Sequence, residues 1–220
     1  DSNTIRVEPQ PYAPCSYTIE SDWTAASYWY ALMALAPETT AHVQLMGLMD
    51  GSIQGDSVVK YLFSLLGIKT HFASTEHGLP TTITLHRQPC PLHRLDYNFT
   101  GAPDLAQTFV VCCALMDVKF HFKGLQTLTM KECNRIEALQ TEMRKLGYVI
   151  DTVNDDELFW EGERCTPSTE PIETYADHRM ALAFAPAAFR IKGLRINHPE
   201  VVSKSYPHYW DDLQKAGFHL

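Results

Sequence analysis

Asp22-Trp23-Thr24-Ala25-Ala26-Ser27-Tyr28-Trp29-Tyr30-Ala31-Leu32-Met33-Ala34-Leu35 decides the architecture. Asp22 has the side chain of a helix N-cap, and Pro37 falls just beyond the run, where a helix must stop. Between them nearly every position is apolar, so a helix here has no solvent face and is buried on most sides. Such a helix needs other elements all around it. A second apolar run, opened by Ala102-Pro103-Asp104 and passing through Phe109 to Met116, makes the same demand further along the chain.

Outward from the first run, His42 to Leu48 reads as a strand. Asp56 to Leu66 reads as an amphipathic helix, with Val58, Val59, Leu62, Phe63 and Leu66 at helical spacing and Gly67 at its end. Ile68 to Ala73 and Thr81 to Leu85 are strand-like, joined by the turn Glu76-His77-Gly78. The order then recurs: a strand from Asp96 to Phe99, the second apolar helix, a strand from Val118 to Phe122, and a helix from Lys131 to Leu146 ended by Gly147. Tyr148 to Val153 and Glu157 to Trp160 close this pass as a hairpin. A third pass has a strand Ile172-Glu173-Thr174-Tyr175, a helix from Asp177 to Pro186, a strand Leu194-Arg195-Ile196 and a helix from Pro207 to Ala216, but no closing strands. The expected fold is therefore α/β: β-α-β-α-β-β units, two complete and a third truncated, repeating at roughly 75 residues around buried helices.

Composition narrows the function. With 18 basic and 26 acidic residues among 220, the formal charge is −8. That balance disfavours a general binder of nucleic acid or acidic membranes, which needs surplus Lys and Arg. No apolar run approaches the roughly 20 residues of a membrane-spanning helix. Cys15, Cys90, Cys112, Cys113, Cys133 and Cys165 form no disulfide framework, and without a secretory signal they read as reduced, in a cytoplasmic protein. Cys90-Pro91-Leu92-His93, with His86 upstream, lacks the partner pair a zinc site needs, so no metal and no cofactor are expected. The amino end Asp1-Ser2-Asn3-Thr4 has neither an initiator Met nor a signal peptide, consistent with a processed chain or a fragment.

An anion ligand would need a local cluster of cations. A buried helix offers its N-terminus, with free N–H groups and a favourable dipole, as a polar exit from the core. Asp22, Asp104 and Asp177-His178-Arg179 stand at those starts, and each Asp taken alone is explained by an N-cap worth about 1 kcal/mol. Lys131 and Arg135, i and i+4 in the first turn of the expected helix from Lys131, share one face and oppose its dipole. Lys204, ahead of the last expected helix, does the same. A bound anion accounts for cations so placed, as does a solvated surface pair.

Asp177-His178-Arg179-Met180-Ala181, Lys131-Glu132-Cys133-Asn134-Arg135-Ile136, Pro103-Asp104-Leu105-Ala106-Gln107-Thr108 and Lys204-Ser205-Tyr206-Pro207 together resemble the 5-enolpyruvylshikimate-3-phosphate synthase family (3-phosphoshikimate 1-carboxyvinyltransferases). Glu20 to Tyr28 resembles that family's entry into its second domain, and the likeness runs from about Ile5 to Gly217. The resemblance implies a transferase of the shikimate pathway of aromatic amino-acid biosynthesis. It moves the enolpyruvyl group of phosphoenolpyruvate onto the 5-hydroxyl of shikimate 3-phosphate and releases phosphate. It also implies the family's inside-out α/β domain, here the carboxyl-terminal one of two. Residues 1–17 would be linker or the end of a preceding domain, and residues 18–220 three units of about 18–88, 89–165 and 166–220. The family's Pro-Gly-Ser-Lys-Ser and Gly-Asn-Ala-Gly-Thr stretches do not occur in the chain. The partner domain would then be missing, along with the strands that the family's amino-terminal segment adds to this domain.

Site roles follow from the same resemblance. Asp104 matches the acidic residue that takes the proton of the 5-hydroxyl, and Glu132 the acid that protonates the phosphoenolpyruvate methylene. Asp104 and Lys131 match contacts to shikimate 3-phosphate, and Arg135, Arg179 and Lys204 the cations around phosphoenolpyruvate. His178 orients Arg179 or joins a proton relay. Asn134 departs from the family's common Asp. Two other readings stand beside this one: the related UDP-N-acetylglucosamine enolpyruvyl transferases, whose reactive Cys loop has no counterpart here, and a non-catalytic binding module on the same fold.

Overall fold

The structure, a computed structural model, describes residues 4–37, 41–74 and 78–219. Residues 4–22 carry no regular element, and Ile5, Val7, Tyr12, Tyr17 and Ile19 in this stretch are exposed. The first unit then runs α1 (Trp23–Leu35), β1 (His42–Met49), α2 (Val59–Leu65), β2 (Ile68–Phe72) and β3 (Pro80–Arg87). The second runs β4 (Arg94–Asn98), α3 (Ala106–Leu115), β5 (Lys119–Lys123), α4 (Arg135–Lys145), β6 (Asp151–Val153) and β7 (Glu157–Trp160). The third holds α5 (His178–Phe184) and α6 (Tyr209–Lys215), with a 3-10 stretch at Pro199–Lys204 that sequence reasoning did not anticipate.

Each unit's first helix is the buried one. All of α3 is buried, as is every residue of α5 except Arg179 and all but Ala25 and Trp29 of α1. By contrast, α4 buries Arg135, Ile136, Ala138, Leu139, Glu142 and Met143, the single stripe of an amphipathic helix. The sheets wrap the outside. The first has the order β1-β3-β2, wholly antiparallel; the second has β4-β5-β7-β6, in which β4 and β5 are parallel. Removing β4 leaves an order matching the first sheet strand for strand, the structural form of the repeat.

The repeat is less complete than the sequence pattern implies. Only the second unit has all six elements among the described residues. In the first, no strand precedes α1; a single backbone bond, Ser21 N–H to Gly47 O at 2.7 Å, lies where such a strand would pair. In the third, the two expected strands shrink to one parallel bridge, Ile172 to Ile196. Tyr175 and Ala176 both take positive φ, 53° and 55°, and turn the chain out of any strand towards the cap of α5. The helix expected from Lys131 begins instead at Arg135, because Asn134 is extended (φ −71°, ψ 94°) and its side chain accepts from Glu137 N–H at 3.4 Å as an N-cap. The helix expected from Asp56 opens as a 3-10 turn, Gly55–Val58, and the one from Pro207 starts at Tyr209. Of the turn Glu76-His77-Gly78, the first two residues lie outside the described residues.

Packing ties the units together. Phe63 of α2 meets Phe109 of α3 with ring centroids 4.6 Å apart, and Phe99 contacts both Phe109 and Phe122. Each such ring contributes roughly 1.5–3 kcal/mol by burial. A second cluster, Tyr28 and Leu32 with Ala181, Leu182, Val202, Tyr209 and Leu213, joins α1 to α5 and α6. The first turns of α3 and α5 and one face of α1 are thereby fixed against each other. No described helix is long and apolar enough to cross a membrane.

Candidate anion-binding and acid–base site

Arg135 is the hub. It is the first residue of α4, and its side chain is 1% exposed. Its Nε–H donates to Asp177 Oδ2 at 2.7 Å and one Nη2–H reaches Asp177 Oδ1 at 3.3 Å. Another Nη2–H donates to Glu132 Oε2 at 2.7 Å, and Nη1–H donates to Asp104 Oδ1 at 3.0 Å. Asp177, fully buried, also caps α5 by accepting from Arg179 N–H at 2.9 Å. Its charge is thus shared between a helix start and a guanidinium.

Around this hub stand the other cations. Arg179 donates from Nη2 to Asp104 Oδ2 at 2.9 Å and from Nη1 to the Tyr28 hydroxyl at 3.2 Å. Lys131 Nζ lies 3.4 Å from Asp104 Oδ1. Lys204, arriving from the 3-10 stretch of the third unit, pairs with Glu132 Oε1. His178 Nδ1 is 3.9 Å from Glu132 Oε1 and 3.6 Å from Asp177 Oδ1. All seven residues singled out from sequence are thereby brought into one cluster. Asp177 and Tyr28 belong to it too. Sequence reasoning had Asp177 only as a helix cap, and Tyr28 carried no signal among three consecutive aromatics.

The route to this convergence differs from the expected one. Lys131 and Glu132 occupy a bend ahead of α4, so Lys131 shares no helical face with Arg135. Arg135 does stand in a first turn against the dipole, and its counter-charges are Asp177, Glu132 and Asp104 from the protein itself. A cation at a helix start therefore required no external anion here. In direct ion pairs four cations meet three carboxylates, with Asp56 acting on Arg179 from further off, and Lys204 and Lys131 remain partly open to solvent. Within the described residues, Arg179 Nε and His178 Nδ1 are buried without a hydrogen-bond partner.

Electrostatics sets the protonation states. Burial raises the Asp104 carboxyl, but Arg179, Lys131 and Arg135 together outweigh it and leave the group below the ordinary range. The Lys204 ammonium, with Arg135 adding to it against burial, pulls Glu132 down to about 2. Burial, then the nearby Arg179, lowers His178, so its imidazole is neutral at pH 7. Burial pushes the Tyr28 phenol up to about 12 and, with Asp177 beside it, the Cys133 thiol to about 12 as well; neither ionises near neutrality. The cluster thus offers two partly accessible carboxylates, a neutral imidazole and four cations, a set suited to multiply charged anions and proton transfer. A groove of about 540 Å³ along β1, lined by Trp29, Leu45 and Tyr206 among others, contains none of these cluster residues. Among the described residues no three His, Cys, Asp or Glu side chains gather as metal ligands.

The description of the EPSP synthase (3-phosphoshikimate 1-carboxyvinyltransferase) family matches residues 1–213. The chain belongs to the EPSP synthase family. A 3-phosphoshikimate 1-carboxyvinyltransferase of Bacteroides fragilis (strain ATCC 25285) is 54% identical over 217 residues, covering 98% of this chain and 51% of the relative. One from Dehalococcoides mccartyi is 30% identical over 217 residues, covering 99% and 48%. Among solved structures, EPSP synthase from Acinetobacter baumannii superposes with a TM-score of 0.68 at 21% identity, over 90% of this chain and 46% of that one, a likeness of fold. The chain spans about half the length of the curated relatives it matches.

Proposed function

We propose that this chain is the carboxyl-terminal domain of a 3-phosphoshikimate 1-carboxyvinyltransferase, a cytoplasmic enzyme of aromatic amino-acid biosynthesis. The complete enzyme transfers the enolpyruvyl group of phosphoenolpyruvate to the 5-hydroxyl of shikimate 3-phosphate and releases phosphate. In this reading residues 1–17 are linker or the end of the preceding domain, residues 18–220 are the domain proper, and an amino-terminal half closes over the ligands. The observation that carries it is the convergence of Asp104, Lys131, Glu132 and Arg135 from the second unit with His178, Arg179 and Lys204 from the third.

In this reading each group has a task. Arg135, Arg179 and Lys204 take the carboxylate and phosphate of phosphoenolpyruvate, while Lys131 and Asp104 take shikimate 3-phosphate. Before ligands arrive, these cations are neutralised by Glu132 and Asp104. When a dianion draws Lys204 and Arg135 away, Glu132 loses the charges that hold it near pH 2. Its pKa then rises, as an acid that must deliver a proton to the methylene carbon requires. Asp104 becomes more basic by the same exchange as Arg179 and Lys131 turn to ligand, and accepts the 5-hydroxyl proton. The same cations, now on the ligands, stabilise the tetrahedral intermediate, which collapses as phosphate leaves and the proton added to the methylene returns to Glu132.

The test is reconstitution. The 220-residue chain alone should show negligible phosphate release, because positioning by both domains supplies much of the rate. Addition of the separately expressed amino-terminal half should restore turnover. Titration with phosphoenolpyruvate and shikimate 3-phosphate, read from the four Trp residues, should show binding with the halves combined. Normal turnover by the chain alone would refute the half-site reading, and no response from the combined halves would favour a binding module.

A further inference from the structure

We propose that Tyr28 is a positioning residue that holds the Arg179 guanidinium in its anion-receiving orientation; this rests on the reading of Arg179 as a phosphoenolpyruvate ligand. Arg179 has two anchors. Asp104 takes Nη2 at 2.9 Å, and the Tyr28 hydroxyl takes Nη1 at 3.2 Å. The two act differently on the charge. Asp104 is an anion that moderates the cation and is itself asked to move protons. Tyr28 fixes direction without neutralising anything: it is 2% exposed and, its phenol raised to about 12 by burial, stays a neutral acceptor at physiological pH.

Tyr28 is itself held. It projects from α1, and its ring meets that of Tyr209 edge-on, at 6.3 Å and 70°. Tyr209 is completely buried on α6. A residue of the first unit therefore sets the angle of a guanidinium from the third, while the second unit supplies the counter-ion. Replacing the hydroxyl by hydrogen leaves Nη1 free to turn about the Nη2–Asp104 contact, and the donors facing a ligand lose their fixed geometry.

Tyr28→Phe in the 220-residue chain tests this, with Tyr209→Phe as a matched control. The control removes a buried hydroxyl from the same aromatic pair, one that has no hydrogen-bond partner and so none in Arg179. The first readout is the Arg179 Nε–H resonance in ¹⁵N-resolved NMR, assigned by its disappearance in Arg179→Lys. The second is phosphoenolpyruvate affinity, measured in the presence of the amino-terminal half. Tyr28→Phe should move or broaden the Arg179 resonance and weaken phosphoenolpyruvate binding about tenfold, with shikimate 3-phosphate affinity nearly unchanged. Tyr209→Phe should do neither. An unmoved Arg179 resonance overturns the proposal, as does an unaltered phosphoenolpyruvate affinity or an equal effect of the control. If the unsubstituted protein binds no phosphoenolpyruvate, the proposed function fails and this inference about its ligand fails with it, whereas an unmoved resonance would sink the inference alone.

Discussion

Two buried cations in this chain have opposite surroundings. Lys60, on α2, is 8% exposed; its Nζ lies 2.8 Å from Asp50 and 5.1–5.5 Å from the ring centroids of Trp23, Tyr61 and Phe72. All of these partners come from the first unit. Arg135 is 1% exposed and meets Asp177, Glu132 and Asp104, but Asp104 also serves Arg179 and Lys131, and Glu132 also serves Lys204. A charge packed against three ring faces has surroundings that a ligand anion cannot replace. One whose carboxylates are shared among several cations can exchange them for a ligand. Burial of a cation is thus no sign of function by itself; ring faces surround the one and a network of carboxylates and further cations the other.

The largest effect should separate these two sites in stability. Arg135→Met leaves Asp177 buried without its guanidinium, and urea unfolding should show a loss of about 3–5 kcal/mol. Lys60→Met keeps the packing against three rings, and Asp50, a third exposed, regains water; the loss should be about 1–2 kcal/mol. Equal losses would break the comparison. Ligand affinity sharpens it next. Lys204→Met should weaken phosphoenolpyruvate binding by the reassembled halves at least about tenfold, and Lys60→Met should leave it unchanged.

A smaller effect appears with pH. Glu132, folded, is held near 2, below its unfolded value, so its pairing stabilises the fold above the unfolded pKa. That contribution is lost as pH falls from about 4.5 towards 2. The stability difference between the native chain and Glu132→Gln should be on the order of 1 kcal/mol at pH 7 and shrink steadily as pH falls towards 2, as followed by chemical unfolding. The smallest expected change tests the frame around the hub. Asn134→Ala removes the cap of α4 and should cost about 1 kcal/mol without altering the Glu132 titration.

Much of this was legible in the sequence where local chemistry decides. The buried helices α1 and α3 follow from apolar runs, one bounded by Asp22 and Pro37, the other opened by Pro103 and reaching Met116. The start of α4 was misplaced by four residues because Lys131, Glu132 and Cys133 are all compatible with a helix; only the Asn134 side-chain bond to Glu137 N–H fixes the boundary. Nothing in Tyr175-Ala176 announces two consecutive positive φ angles, so the strand expected there was lost. Within the site, the seven residues stand out because their motifs resemble a family. Tyr28 did not, since its partner Arg179 is 151 positions away and its neighbours are also aromatic. Asp177 was legible only for its local duty; its bond to Arg135 across 42 residues is a tertiary fact.

The open side of the first sheet bears on how the chain behaves among copies of itself. β1 is an edge strand among the described residues, and an unpaired edge is a template for adding further strands. Its ladder slips between Leu45 and Leu48, where Gly47 takes φ +83° and Ser21 crowds so close that an added Cβ would lie 2.3 Å from its Oγ. Another β1 could run alongside for only His42–Leu45 before the bend carried it away. That kink shortens the stretch of β1 open to a further strand, and a formal charge of −8 makes copies repel.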